Sequence, residues 1–157
     1  MKRLNDLIFG EEYQKYLDII KHSETDRIFC GHDTEHFLAV SRLLYIYCLE
    51  SGINIDKELI YAVGFLHDIG RARQYLDGTE HHRASADIAA ELMPKYGFNS
   101  EETELVCNMI LAHRDKNADG LGALVYKADK ASRNCFDCAA AIKCNWSAEK
   151  RNLRVEI

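Results

Sequence analysis

An adjacent histidine and aspartate, His67 and Asp68, interrupt an apolar stretch that runs from Leu59 to Ile69. Burying a carboxylate without a compensating charge costs several kcal/mol. Either the pair is exposed despite its neighbours, or a cation meets it in the interior. A metal ion is the simplest cation for such a position, so the pattern predicts a metal site.

Length and composition limit the architecture and the partners. The chain has 157 residues, 47% of them hydrophobic, which is enough for one well-filled core and too short for two comfortable domains, so we expect a single domain over 1–157. The net charge is -5, and no concentrated basic face is visible in the sequence. We therefore expect no nucleic-acid polymer as partner, whereas a small anionic substrate held by a metal is compatible.

The N-terminal residues lack the continuous apolar stretch of a signal peptide, and no segment approaches the length needed to span a bilayer. We expect a cytoplasmic protein with no membrane partner. Its six cysteines are then expected to be reduced thiols, core residues or metal ligands rather than a disulfide framework. The sequence leaves the oligomeric state open.

The apolar residues recur with helical spacing, and long runs of alternating apolar and polar residues are absent, so we predict an all-α fold. The expected form is a compact bundle of about six core helices. Within the single domain, we expect a core region over about 32–133 and a short cysteine-rich tail over about 134–157. A last helical turn is expected near 147–152. The predicted helices are 3–21, 34–50, 56–74, 81–95, 99–113 and 121–133. Asn99 and Glu102 are expected to form a capping box at the start of the fifth helix, and Pro94 is expected to kink or stop the fourth near its end.

Four of these helices carry a metal-capable residue on their own apolar stripe, which directs the side chain toward the common interior. A single histidine on such a face is usually a hydrogen-bonded core residue, but four coincidences favour a shared site. Imidazole and carboxylate ligands together suit iron, manganese, zinc, cobalt or nickel better than calcium or magnesium. The four residues are His36, His67, His113 and Asp129. With Asp68 beside His67, the set His36, His67, Asp68 and Asp129 predicts one transition-metal site.

Three short motifs in order give the chain a family resemblance. They are His32-Asp33-Thr34-Glu35-His36, His67-Asp68-Ile69-Gly70 and Ala128-Asp129-Lys130. At this spacing and on helices, they resemble the HD-domain superfamily of metal-dependent phosphohydrolases, in particular its small HDIG-type members. The resemblance runs from about His32 to Asp129.

The resemblance implies a set of metal ligands. His36, His67, Asp68 and Asp129 would hold the first metal. In two-metal members, a second ion would take His113 and either His81 or His82, with the earlier histidine favoured, and Asp68 would bridge both ions. The carboxylates of Asp33 and Glu80 would hold histidine tautomers from outside the ligand set.

The resemblance also implies an activity. A metal-activated water would hydrolyse a small phosphate ester or nucleotide, with Asp68 orienting that water or accepting its proton. Arg71, Arg114, Lys116 and Lys130 lie close in sequence to these ligands, where a phosphate would need positive charge, although a solvated helix end is the commoner role for such residues. Arg71 and Lys130, directly beside the motifs, are the preferred candidates for substrate binding.

Two other functions are compatible with the same ligands. The protein could bind a nucleotide as a signal without turning it over. It could also be a di-iron oxygenase, because protein ligands fix the metal but not the substrate.

The tail contains Cys135, Cys138 and Cys144, a CxxC pair followed by a third cysteine. Thiolates at this spacing can chelate zinc or an iron–sulfur cluster, but both usually need a fourth ligand, which the sequence does not identify. Packing of the tail is therefore the favoured interpretation. Cys30 and the two remaining cysteines are assigned no chemistry, and the role of His32 stays open.

Overall fold

The computed structural model describes residues 1–155, which form α-helices and short 3-10 helices without a β-strand. The predicted all-α fold is confirmed. The α-helices are α1 (Lys2–Ile8), α2 (Glu11–Ser23), α3 (Thr34–Glu50), α4 (Lys57–Leu66), α5 (Arg71–Asp77), α6 (His81–Leu92), α7 (Ser100–Ala112) and α8 (Gly120–Ala131).

The first predicted helix is wrong in its continuity, because the chain breaks between α1 and α2 at Gly10. This residue is in an extended conformation, and a β-carbon built on it would lie 2.0 Å from the hydroxyl oxygen of Tyr96. A larger residue at this position would have to displace the Tyr96 ring, and the tyrosine lies 86 positions further along the chain. A contact so distant in sequence leaves no local periodic signal.

The third predicted helix also divides, into α4 and α5, at the His67-Asp68-Ile69-Gly70 motif. The backbone turns tightly there: the Arg71 N–H donates to the Asp68 carbonyl oxygen at 3.0 Å. A β-carbon on Gly70 would lie 2.2 Å from the His81 carbonyl oxygen and 2.3 Å from the Ser85 nitrogen. The glycine thus brings α6 against the turn, with the Gly70 N–H donating to the Ser85 hydroxyl at 2.8 Å.

Several helix ends follow the sequence signals. Asn99 and Glu102 form the predicted capping box at the start of α7. The α6 helix ends at Leu92 and passes into a 3-10 turn, Met93–Tyr96, which contains the sole proline. These local predictions are confirmed because each depends on residues within one helical turn.

The α4 helix is the centre of the hydrophobic core. It packs against α1, α3, α6 and α7, and most of its side chains are buried. His67 and Asp68 follow directly at its C-terminal end, so the polar pair lies deep within the protein. Core residues from the surrounding helices include Leu7, Ile20, Phe37, Leu44, Ile88, Ile110 and Val125.

Beyond α8 the chain contains 3-10 turns at Cys135–Asp137, Ala141–Lys143 and Ala148–Lys150, the last near the predicted final turn. The Asn152 side chain donates to the Ala131 carbonyl oxygen at 2.8 Å, which fastens the tail to the end of α8. The proposed boundary between core and tail stays a prediction. Across residues 1–155, none of the helices has both the length and the apolar character required to cross a bilayer.

Candidate metal centre

Two groups of donor atoms meet at Asp68. Within each group, all donor atoms lie within 4.8 Å of one another, and all the residues are buried. Asp68 belongs to both groups, so its two oxygens face different sets of partners. The first group is His36, His67, Asp68 and Asp129, and the second is Asp68, His81 and His113.

On one side of Asp68, its Oδ2 atom lies 3.5 Å from Nε2 of His67 and 3.8 Å from Nε2 of His36. Asp129 Oδ1 closes this group, 3.5 Å from the His36 nitrogen. On the other side, Oδ1 of Asp68 lies 3.4 Å from Nε2 of His81. The His113 Nε2 atom is 3.8 Å from the same oxygen.

Backbone carbonyls fix the tautomers of two of these histidines. The Nδ1–H of His67 donates to the Gly64 carbonyl oxygen at 2.8 Å, and that of His113 donates to the Ile110 carbonyl oxygen at 2.5 Å. Because each Nδ1 carries the proton, Nε2 presents its lone pair to Asp68. The helix that carries each ring also orients it.

For His36, the Ser132 hydroxyl rather than a backbone carbonyl fixes the tautomer. Its hydroxyl donates to the Asp129 carbonyl oxygen at 2.7 Å, so its oxygen is left to accept the His36 Nδ1–H at 3.0 Å. The His36 Nε2 atom then faces the centre unprotonated. The residue at the end of α8 thereby orients a ring on α3.

The inward-facing atoms fit a divalent transition metal. Within residues 1–155, the Nε2 atoms of His36, His67 and His81 and the Oδ1 atom of Asp68 are buried without a hydrogen-bond partner. Leaving such an atom unsatisfied costs about 1–3 kcal/mol. Acceptor atoms that face one another cannot form hydrogen bonds among themselves. Together, however, they form a nitrogen and oxygen ligand set for a cation.

Burial also sets the protonation states that a metal requires. It lowers the pKa of His67 and of His113 to about 4, and that of His81 to about 3, so the three rings are neutral at neutral pH. Burial opposes ionisation of Asp129, but the Lys130 ammonium beside it holds the pKa of that carboxyl below its ordinary value. The centre therefore presents neutral imidazoles and an ionised carboxylate.

The two predicted substrate-binding residues contact the carboxylates of the centre. Lys130 Nζ donates to Asp129 Oδ2 at 2.5 Å, and the Arg71 Nε atom lies 3.3 Å from Asp68 Oδ1. Both cations thus lie at the edge of the donor cluster. Their assignment to substrate stays a prediction.

The structure separates the adjacent histidines of α6. His81 is buried and faces Asp68, whereas His82 is partly exposed, with its ring 6.3 Å from that of His113. The alternative that sequence reasoning favoured is therefore the one whose nitrogen belongs to the cluster. The ligand role itself remains a prediction.

The expected roles of Asp33 and Glu80 are wrong. The Asp33 carboxylate caps α3 by accepting the His36 backbone N–H at 2.9 Å, and the exposed Glu80 pairs with Arg83 at 2.8 Å. Neither carboxylate holds a histidine ring. Backbone carbonyls and a hydroxyl do so instead, and no side-chain pattern in the sequence identifies them.

Sequence reasoning also missed a partly buried series of hydrogen-bonded side chains that ends at the centre. The His32 Nε2 atom lies 3.6 Å from Asp68 Oδ2, and its Nδ1–H donates to Glu24 at 2.5 Å. The Tyr75 hydroxyl donates to the same carboxylate oxygen at 2.5 Å. Burial opposes ionisation of Glu24, but these hydrogen bonds lower its pKa to about 2. The position of His32 in the first motif was the available signal.

A basic cavity of about 210 Å³ lies beside Lys130. Its wall combines cationic and aromatic side chains from the α7–α8 loop, α8 and the tail. Such a wall is suited to an anionic molecule with a flat ring system. The lining residues are Arg114, Lys116, Tyr126, Lys130, Trp146 and Lys150.

Comparison with known proteins agrees with this fold. The HD-domain family profile matches residues 34–134, and the chain belongs to the HD-domain family. The resemblance carried by the three sequence motifs is thereby confirmed. An uncharacterised protein from Clostridium beijerinckii is 41% identical over 155 residues and covers 99% of both chains.

Two further matches are more limited. A region of a bifunctional uridylyltransferase/uridylyl-removing enzyme from Erythrobacter litoralis is 33% identical over 58 residues, which is 37% of this chain and 6% of that enzyme. The crystal structure of a predicted HD superfamily hydrolase from an uncultured Thermotogales bacterium matches with a TM-score of 0.58 and 23% identity. It covers 89% of this chain and 81% of the other. The second match shows a shared fold.

Proposed function

We propose that this protein is a metal-dependent phosphohydrolase that acts on a small phosphate ester or nucleotide. The observation that carries the proposal is the convergence of buried, unpartnered Nε2 atoms on the Asp68 carboxylate. Cationic side chains lie directly beside this group. A site for a divalent metal next to a site for anions is what hydrolysis of a phosphate ester requires.

In this proposal the two donor groups hold two ions. His36, His67, Asp68 and Asp129 hold the first, and Asp68, His81 and His113 hold the second. The chemistry supplied by such ions is acidification of water and neutralisation of charge on phosphoryl oxygens. Each ion is iron, manganese, cobalt, nickel or zinc, because the donors are imidazoles and carboxylates.

The side chains of the protein have distinct tasks. Asp68 orients the attacking water or accepts its proton, since its carboxylate lies between both histidine groups. Arg71 and Lys130 bind the phosphate oxygens of the substrate, since their charged ends lie at the rim of the donor cluster. Ser132 holds His36 in the tautomer that leaves Nε2 free.

The basic cavity favours a nucleotide within the class of phosphate esters. Arg114, Lys116 and Lys130 supply positive charge, and Tyr126 and Trp146 supply aromatic surface for a base. The match to part of a bifunctional uridylyltransferase/uridylyl-removing enzyme supports the same class, because both activities in that enzyme's name concern a uridylyl group, which is a nucleotide joined through phosphate.

The experiment is a phosphate-release assay over a panel of nucleotides and phosphate esters, with manganese, iron, cobalt or nickel supplied anaerobically. Asp68→Ala is compared with wild type, and the exposed Asp18→Ala serves as matched control. We expect turnover that is lost in the first variant and kept in the second, with equal helical content by circular dichroism.

Two results would contradict the proposal. Retained activity in Asp68→Ala would exclude the assigned role of that carboxylate. Absence of hydrolysis from wild type with metal demonstrably bound would exclude a hydrolase active on the panel. In that case, metal-dependent nucleotide binding would favour a sensor, and substrate-dependent oxygen consumption by the iron-loaded protein would favour an oxygenase.

A further inference from the structure

A second cluster of metal-capable side chains lies outside the centre described above. The segment before α3 carries Cys30, and the tail after α8 carries Cys135, Cys138 and Cys144. Cys30, Cys135 and Cys138 line one cavity of about 390 Å³ beside the start of α3. The thiol that the sequence could not identify as a fourth partner thus lies 105 positions before the CxxC pair.

Cys135 is the centre of this cluster. It is buried, and burial is the main cause that raises the pKa of its thiol. The thiols of Cys30, Cys138 and Cys144 act in the same direction and raise that pKa further. The backbone N–H of Asn152 acts in the opposite direction and favours the thiolate.

A side-chain hydrogen bond joins the two segments independently of any cysteine bond: the Arg133 guanidinium donates to the Gly31 carbonyl oxygen. Within the first segment, the Arg27 Nε–H donates to the Cys30 carbonyl oxygen at 2.9 Å. All the cysteines are free thiols. The cluster is therefore positioned by a hydrogen bond between the segments, and none of its sulfurs is taken up by a disulfide.

The cysteines of the tail lie at the ends of tight 3-10 turns. Cys135 begins a 3-10 turn and Cys138 follows its end, so the CxxC spacing lies on a tight turn. Cys144 follows the next 3-10 turn, Ala141–Lys143. Paired cysteines on such turns, joined by further cysteines from another segment, are typical of closed four-coordinate zinc sites.

We propose that Cys30, Cys135, Cys138 and Cys144 form a structural zinc site. Within residues 1–155, no three of these sulfur atoms lie within 4.8 Å of one another, unlike the donor atoms of the histidine and aspartate groups. Zinc binding draws them together at Zn–S distances of about 2.3 Å. Four thiolates leave no open position, which makes the site structural rather than catalytic.

This zinc site would link the segments next to His36 and Asp129, two members of the first donor group. His36 lies in the first turn of α3, shortly after Cys30, and Asp129 lies near the end of α8, shortly before Cys135. A link between these segments fixes the distance between His36 and Asp129. It also seats Trp146 and Lys150, which line the basic cavity.

The test uses the full chain, purified under reducing and anaerobic conditions and loaded with cobalt in place of zinc. Cobalt bound by four thiolates gives intense sulfur-to-cobalt charge-transfer absorption, which a histidine and carboxylate centre cannot give. We expect this absorption in wild type and in Asp68→Ala, because the two sites share no residue. The readout does not depend on any hydrolase activity.

Variants then assign the ligands. We expect Cys138→Ser to lose the charge-transfer absorption and one zinc ion per chain by elemental analysis. Cys107→Ser is the matched control, since Cys107 lies on α7 and donates to the Ala86 carbonyl oxygen. It should keep both signals. The sulfur-to-cobalt absorption of wild-type protein tests the proposal by itself, even if a cysteine variant does not fold.

Three outcomes would overturn the assignment. The first is wild-type protein without sulfur-to-cobalt absorption. The second is a brown protein with iron and acid-labile sulfide, which would replace zinc by an iron–sulfur cluster. The third is a disulfide between any two of these cysteines in protein kept under reducing conditions, detected by mass spectrometry.

Discussion

The Ser132 hydroxyl oxygen lies 3.0 Å from Nδ1 of His36, although the two residues are 96 positions apart in sequence. This contact joins the end of α8 to the first turn of α3. Because the hydroxyl proton is already donated to the Asp129 carbonyl oxygen, the ring must supply the proton of the contact. The relationship therefore decides which histidine nitrogen faces the metal centre.

Replacing this hydroxyl should weaken metal binding without unfolding the protein. In Ser132→Ala, His36 loses the group that fixes its tautomer, and loss of such a partner typically costs about 10–100-fold in metal affinity. The measurement is a competition titration with a chromogenic chelator. Ser51→Ala, at an exposed helix end, is the control and should match wild type. Equal affinities for both variants would contradict the prediction.

The metal-free protein should lose stability on acidification. The pKa values of His67 and His113 are lowered from 6.5 to about 4 by burial. Below pH 6.5 the unfolded chain takes up protons that the folded protein does not accept until about pH 4, so the free energy of unfolding falls across this window. The slope is at most ~1.4 kcal/mol per pH unit for each histidine.

Urea unfolding followed by circular dichroism over this pH range provides the measurement. His67→Gln should flatten the dependence because it removes one of the groups that titrate. The exposed His22→Gln should leave it unchanged. A free energy of unfolding that is constant between pH 6.5 and 4 would show that these rings are not held neutral by burial.

Adding one methyl group at Gly70 should disturb the turn and α6 together. In Gly70→Ala the new carbon meets backbone atoms of His81 and Ser85 at 2.2 and 2.3 Å, which cannot move without moving the helix. Overpacking of this kind costs about 1–3 kcal/mol. Because His81 begins α6, the metal content of the second donor group should fall as well.

Thermal unfolding and elemental analysis of the metal-loaded protein test this expectation. Gly31→Ala is the control, since its added carbon would meet its nearest atom, a Glu24 carboxylate oxygen, at an ordinary 3.5 Å. Stability and metal content equal to wild type in Gly70→Ala would show that the close approach is unimportant.

Lys130→Met should lower kcat/KM more than it lowers the affinity for metal. A hydrogen bond to a charged group contributes about 1.5–3 kcal/mol, which corresponds to roughly 10–100-fold in kcat/KM. The matched control is Lys127→Met, because Lys127 lies on the same helix with its ammonium 3.9 Å above the Tyr47 ring. The measurement is kcat/KM from steady-state kinetics on the best substrate of the panel. An equal loss of kcat/KM in the two variants would argue against a specific role for Lys130.

Local sequence patterns were sufficient for much of the framework. Helical periodicity directed His36, His67, His113 and Asp129 to the interior, because the spacing of apolar residues along one helix determines which side is buried. Caps such as Asn99 were equally readable, since a cap involves residues only a few positions apart.

The breaks at Gly10 and Gly70 depended instead on distant partners. Each glycine permits contact with a residue on another element, and helical spacing on both sides of it continues without interruption. Sequence reasoning therefore joined α1 to α2 and α4 to α5. The same limitation hid the carbonyls that orient the rings, because a backbone oxygen leaves no mark in the side-chain pattern.

The sequence by itself determined the helical class, the apolar faces and the family motifs, since each is written in residues close together along the chain. Only the tertiary structure decided that His81 rather than His82 faces Asp68, and that Glu24 holds His32. Only the tertiary structure brought Cys30 to the cysteines of the tail. The physical reason is that these relationships are contacts between separate elements, fixed by packing and hydrogen bonds across the whole molecule.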